Sequence, residues 1–231
     1  MVRDTLTADR IVHAAIELLD EEGLDGLNMR SLAKRLGSAA TAVYWHIKTK
    51  DDLVRLAGDT VWHEVELPDP DATDWRTAAT AQADSMHAML TRHPWLVQAF
   101  GSHLLYGPAQ ARYNDLSLAV YEKAGFAADD ADRAAAAVFT FVLGSTLGPA
   151  AEVSLKRRLG RNGADAEQLL GDAVARAAET AMEFPRLRER LGTKAAVEYA
   201  AAPDSSFEFG LRSLLDGFEA RLAGGRAGGR E

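Results

Sequence analysis

Residues 28–50 read NMRSLAKRLGSAATAVYWHIKTK, and this stretch decides the fold. Asn28 is placed to cap a helix with Leu32, Ala33 and Leu36 on its inner side, Gly37 stops it, and a second short helix follows over about Ala39 to His46. Two short helices hinged on a glycine describe a helix-turn-helix unit, whose second helix enters the major groove of DNA. The window carries five charged side chains, Arg30, Lys34, Arg35, Lys48 and Lys50, and all are positive. The chain has 231 residues and a formal charge of −8, so this +5 leaves −13 on the other 208. Phosphate contacts supply much of a protein's affinity for DNA, and exposed charges more than about 8 Å apart are largely screened at physiological salt, so the acidic remainder does not oppose a basic reading surface. Charge alone is equally compatible with an ordinary solvated face.

Working outward, helical periodicity governs nearly the whole chain. Thr7 is placed to cap a helix with Ile11, Ala14, Ala15, Leu18 and Leu19 on one face, and Gly23 is suited to end it in a left-handed conformation. The acidic run Asp20-Glu21-Glu22 reads as solvated. Thr49 and Asp52 resemble a capping box opening a fourth helix with Leu53, Leu56, Ala57, Val61 and Val65 inward, ended by Pro68-Asp69-Pro70. Further helices are expected over Asp74 to Thr91, from Pro94, from Gly107-Pro108 to Gly125, from Asp129 to about Lys156, from Asp165 to about Phe184 and from Ser206 to Leu222. Pro149 cannot donate its backbone hydrogen bond, which predicts a kink or break near Gly148. The Gly-rich end, residues 223–231, reads as disordered. No alternation of strand type and no internal repeat occurs, so the class is all-α.

Composition narrows the function. Apolar residues make up 47% and charged residues 26%, a globular balance, and with no cysteine there is neither a disulfide framework nor a thiolate metal site. No apolar run approaches the roughly 18 residues of a membrane span, and the chain opens on a helical pattern without a signal region, so a cytoplasmic location is expected. There is no nucleophile elbow, HExxH motif or phosphate-cradling glycine loop, which argues against an enzyme.

The segment ELLDEEGLDGLNMRSLAKRLGSAATAVYWHIKTKDDLV resembles the DNA-binding domain of the TetR family of transcriptional regulators. Downstream, HPWL, YEKAGF and FEFGLRSLLDGFEARL resemble the regulatory domain of the tetracycline-repressor branch. The resemblance implies a three-helix DNA-binding domain with its linking helix over residues 1–66, followed by a larger ligand-binding and dimerisation domain over 67–222. It implies a homodimeric repressor released from a palindromic operator by a small molecule; although the founding member of the family grips its drug through a metal, no cofactor is expected here. A constitutive architectural DNA binder without a ligand is the alternative.

Site residues follow from residue chemistry and from the resemblance together. Arg30 is the leading base reader, since its planar fork can take guanine O6 and N7 together and the branch has an Arg at the matching position. Ser38, Ala40 and Thr41 open the reading helix, and the Thr41 methyl and hydroxyl suit a thymine methyl or a phosphate. Family members place a phosphate-contacting aromatic, a polar neighbour and an anchoring lysine where Tyr44, His46 and Lys50 stand, and Lys48 adds charge beside them. Lys34 and Arg35 read as a solvated face or as nonspecific phosphate neighbours. Ala39, Ala40 and Ala42 depart from the larger or more polar residues of the tetracycline-repressor branch, so its operator does not carry over. Trp45 reads as a core or hinge residue, because a duplex offers it no unstacked base.

For the second domain the resemblance implies a mostly apolar effector pocket, for which Met86, Met89, Phe100, His103, Tyr113 and Phe139 are the candidates. It also implies a four-helix dimer seam, with Ala134, Val138, Val142, Phe207, Leu211, Leu214 and Phe218 as its apolar stripe. The competing reading is that this stripe fills the core of the single chain. His87 and His93 stand six residues apart, off the spacing of two ligands on one helix face, so no metal site is expected.

Overall fold

Eleven α-helices build the described part of the chain, which in the computed structural model comprises residues 6–161, 165–191 and 204–228. They are α1 Ala8–Gly26, α2 Met29–Arg35, α3 Ala40–His46, α4 Lys50–Val61, α5 Trp75–Arg92, α6 Pro94–Ala99, α7 Pro108–Ala124, α8 Ala128–Arg161, α9 Ala166–Ala181, α10 Pro185–Leu191 and α11 Asp204–Gly228. A 3₁₀ turn, Trp62–Glu64, continues α4. No strand occurs among the described residues, and the all-α class stands.

Caps written in the sequence start most of the helices. The side chains of Thr7, Asn28, Thr49, Asp74 and Asp165 each accept a hydrogen bond from the backbone amide three residues on, satisfying one of the donors a helix start leaves free. Pro94, Pro108 and Pro185 stand at first helical positions, where a missing amide hydrogen costs nothing. Pro185 therefore opens α10 as well as closing the segment before it.

The first four helices share a small core of Ile11, Ala15, Leu19, Leu32, Val43, Ile47, Leu53 and Val54, all buried. Each large aliphatic side chain there contributes about 1.5–3 kcal/mol of burial energy. Gly37 makes the turn between α2 and α3 with φ +62, a conformation that a Cβ would strain. Behind this head, α5, α6 and α7 pack on the long α8, and α11 lies against α8 and α5. Neither α9 nor α10 buries a residue in this chain.

Several expectations need correcting. Gly23 does adopt positive φ (+71), but with ψ −177 it kinks α1, which resumes to Gly26. Of the kink or break expected near Gly148, the break does not occur, since α8 is continuous from Ala128 to Arg161 with Pro149 inside it. The turn around it is held from outside, because Gln98 of α6 donates to the Ala150 carbonyl (3.4 Å) and to Ser154. The last helix runs on to Gly228, so the expected disorder does not begin at residue 223, and residues 229–231 lie outside the described residues.

Candidate nucleic-acid interface and effector cavity

The reading head presents α3 on its surface with Thr41, Tyr44, Trp45 and His46 exposed. Arg30 at the start of α2 is exposed and makes no hydrogen bond or ion pair among the described residues, so its guanidinium is free for a polyanion. Lys34 is exposed beside it. The other cations are partly engaged. Arg35 pairs with Glu21 and, at 3.5 Å, with Glu17 of α1, so it joins two helices. The Lys48 amine donates to the Tyr44 carbonyl (3.3 Å), and Lys50 donates to the Leu24 carbonyl near the end of α1 (2.7 Å).

Three other residues sit differently from their sequence reading. Trp45 is 81% exposed and therefore no part of the core, because the helix turns its Val43 side inward and leaves position 45 outside. Lys48 lies over its ring, 5.9 Å from the centroid. The Ser38 hydroxyl is buried and unpartnered among the described residues, although the residue as a whole is only half-buried. Ala40 is half-buried against the head's core, leaving Thr41 as the open side chain of the first turn.

In the regulatory region a cavity of about 340 Å³ lies between α7 and α8, lined by Gln110, Tyr113, Asn114, Ser117, Asp132 and Phe139 with small apolar neighbours. Phe100 meets Phe139 edge-on at 5.9 Å, and Met86 accepts the Tyr113 hydroxyl at 3.4 Å, so both support the wall from behind. Burial pushes the Tyr113 phenol up to about 12, so it stays a neutral donor. Met89 is fully buried in the core. His103 belongs elsewhere, because its ring faces Asp51 at the start of α4 (3.5 Å) on another surface.

Sequence reasoning missed the polar members of this wall. Ser117 donates to the Gln82 side-chain amide oxygen (3.2 Å) and the Tyr113 backbone carbonyl (2.8 Å); behind the lining, the Gln82 amide nitrogen and the Trp62 indole nitrogen are buried donors without partners among the described residues. The available signal was a polar residue interrupting an apolar helix face: Gln82 falls four before Met86, and Ser117 four after Tyr113.

The far end of α4 is built into this region. Trp62 packs on Tyr113 (centroids 4.8 Å) and Phe139 (6.2 Å). One Asp59 oxygen accepts the Ala109 and Gln110 amides (3.0 and 3.2 Å), capping α7. A Cβ at Gly107 would fall 2.2 Å from the Asp59 carboxyl carbon, so a larger residue there would displace this cap.

The stripe expected to form a dimer seam is largely internal. Ala134, Val138, Val142, Phe207 and Leu211 are buried in the single chain, and Leu214 and Phe218 are half-buried. Phe207 stacks on Phe141 and His87, and Phe218 meets Tyr121 and Phe126 edge-on. The competing reading of a monomer core describes most of this stripe, because the apolar period marks the face each helix turns toward its own neighbours.

Known proteins agree with this architecture. Residues 11–57 match the model of bacterial regulatory proteins of the tetR family, and residues 67–222 match the tetracyclin repressor-like C-terminal domain. An HTH-type transcriptional regulator of Saccharopolyspora erythraea is 41% identical over 140 residues, covering 61% of this chain and 59% of that protein. The HTH-type transcriptional repressor DrrR1 of Streptomyces coeruleorubidus is 32% identical over 96% of this chain and 80% of its own length. The TetR family protein ActR of Streptomyces coelicolor, crystallised in complex with actinorhodin, superposes with a TM-score of 0.72 at 27% identity, covering 95% of this chain and 97% of that one. With its helix-turn-helix head joined through α4 to a helical regulatory domain, the chain belongs to the tetR family of bacterial transcriptional regulators.

Proposed function

We propose that this protein is a cytoplasmic homodimeric repressor that leaves a palindromic operator when a small molecule enters the cavity between α7 and α8. The observation that carries this reading is the placement of α4. Its first turn follows the reading helix, its last turn supplies Asp59 to the start of α7, and the 3₁₀ turn that continues it packs Trp62 on Tyr113. A ligand that rearranges Tyr113, Phe139 or the start of α7 therefore acts directly on the element that carries the head. Residues 1–66 act as the DNA-binding unit and 67–222 as the regulatory unit.

In the DNA contact, Arg30 reads a base edge, Thr41 and Tyr44 meet the groove and its backbone, and Lys34, Lys48 and His46 add phosphate contacts. Lys50 anchors α1 to α4 and contributes to the field. The effector is mostly apolar and carries a few hydrogen-bonding groups, because Phe139 and Tyr113 offer aromatic faces while Gln110, Asn114 and Ser117 add polar ones to the same lining. ActR, crystallised in complex with actinorhodin, is a relative with a bound small molecule.

The dimer seam lies on the outward faces of α8 and α11. Thr140, Gly144, Leu147, Gly148 and Ala151 share one such face, and Phe209, Ser213, Gly217 and Ala220 the other, all exposed. Small residues with a Leu and a Phe let helices approach closely, as a four-helix interface requires. Two heads held this way meet half-sites about 34–36 Å apart or a multiple of that. A ligand shifts the equilibrium only through preference for the released spacing.

The test is selection of bound duplexes from a random pool, followed by titration with aromatic compounds that carry a few hydrogen-bonding groups. Recovery of a palindrome whose binding is lost on adding a compound supports the reading. Binding without sequence preference, unaffected by any compound that binds the protein, favours an architectural role.

A further inference from the structure

His93 joins α5 to α6 with its side chain only 7% exposed, and both ring nitrogens face carboxylates. Nδ1 lies 2.7 Å from Asp20 of α1, and Nε2 lies 3.0 Å from Glu64 in the turn that continues α4. A neutral imidazole has one N–H and one lone pair, so in this setting its lone pair would oppose a carboxylate oxygen. Only the imidazolium donates to both.

The surroundings hold the two acceptors in place. The Asp20 oxygen that faces His93 also accepts the Trp95 indole N–H of α6 (2.7 Å), and the second Glu64 oxygen accepts Arg92 of α5 (2.7 and 3.1 Å). From α8, Arg157 donates to the Asp20 carbonyl, and Arg161 donates to the Glu22 carbonyl (2.8 Å) and pairs with Asp25 (3.4 Å). The acidic run that read as solvated is thus partly a docking face for the regulatory region, and the kink at Gly23 lies within it. One side chain ties α1, the end of α4 and the α5–α6 corner together.

We infer that His93 is a positioning residue: as an imidazolium between Asp20 and Glu64 it locks the reading head onto the regulatory domain, and its deprotonation loosens that lock. Its effect on DNA rests on the proposed repressor function, whereas its charge state does not. Burial of the ring opposes its charge, but the hydrogen bonds and negative charges of Asp20 and then Glu64 outweigh burial and raise the histidine above its ordinary 6.5. Burial likewise opposes the Glu64 charge, yet Arg92 and His93 hold that carboxyl below its ordinary 4.5.

The sign follows. A histidine raised in the folded state contributes stability that is fully present below pH 6.5 and is lost as pH rises through the raised midpoint. Between those two values the folding constant falls by up to about tenfold per pH unit. The Glu64 contribution is present above 4.5 and is lost as pH falls through its lowered value.

The experiment is a ¹⁵N NMR titration of the full chain's imidazole groups, with denaturant unfolding of wild type and His93→Gln across pH 6 to 9. A His93 midpoint above 6.5 that drops in Asp20→Asn and in Glu64→Gln, with a pH slope present in wild type and flattened in His93→Gln, supports the lock. A midpoint at or below 6.5, or one indifferent to both carboxylate changes, overturns it. On the selected operator, folded Glu64→Gln is expected to bind about tenfold more weakly at a pH between its own His93 midpoint and the wild-type one, a difference shrinking toward pH 6 as the remaining carboxylate keeps the ring charged. Unchanged binding at both pH values would overturn the positioning role. Should wild type bind no duplex at all, the repressor reading falls while the NMR titration still decides the charge state.

Discussion

Arg30 and Lys50 carry the same charge and belong to the same basic window, but their surroundings give them different work. Arg30 is exposed and unpaired among the described residues, so Arg30→Ala is expected to relax preference at one position per half-site at a cost of about 1–3 kcal/mol, read by duplex selection. Lys50 already donates to the Leu24 carbonyl. Lys50→Ala should therefore weaken all duplexes alike and also lower the stability of the head by about 0.5–1.5 kcal/mol, seen in denaturant unfolding without DNA. A loss of affinity with wild-type stability would show that the amine serves DNA alone. The identity of these cations was legible in sequence, but their occupancy was not, because the Leu24 carbonyl and Glu21 are brought to Lys50 and Arg35 only by the packing of α1.

At the scale of the element, local signals were read well because they span three or four residues. Thr49 illustrates this, since its hydroxyl oxygen accepts the Asp52 amide at 2.9 Å, so Thr49→Ala should cost about 1 kcal/mol, measured as a lowered unfolding midpoint. Gly37→Ala is expected to cost roughly 1–2 kcal/mol, because the turn needs φ +62 and no contact crowds the site, so the penalty is conformational. The cap of α7 was invisible for the opposite reason, as Asp59 lies about 50 residues upstream of the amides it accepts. Asp59→Ala should leave compound binding detectable by thermal shift while weakening release from DNA, and Asp59→Asn, which keeps an acceptor, should retain most of the coupling. Equal loss of release in both variants would assign Asp59 to charge instead of capping.

Across the whole molecule, the proposed assembly rests on the outward faces of α8 and α11. An added side chain at Gly144 meets nothing within 4 Å in the single chain, so Gly144→Arg should fold normally yet sediment as a monomer and lose palindrome binding. A dimer unchanged by that substitution and by Phe209→Glu would place the seam elsewhere. By itself the sequence determined the helical class, the caps, the helix-turn-helix head and the family resemblance, because each rests on residues close together in the chain or on a fixed spacing. Tertiary structure alone decided which apolar face each long helix spends on its own core, that Trp45 stands in solvent, that the Gln82 and Trp62 nitrogens are buried without partners among the described residues, and that His93 joins Asp20 to Glu64. The physical reason is distance along the chain. A periodic stripe reports that a face is buried but not against what, and a hydrogen bond between residues 73 positions apart leaves no trace in local sequence.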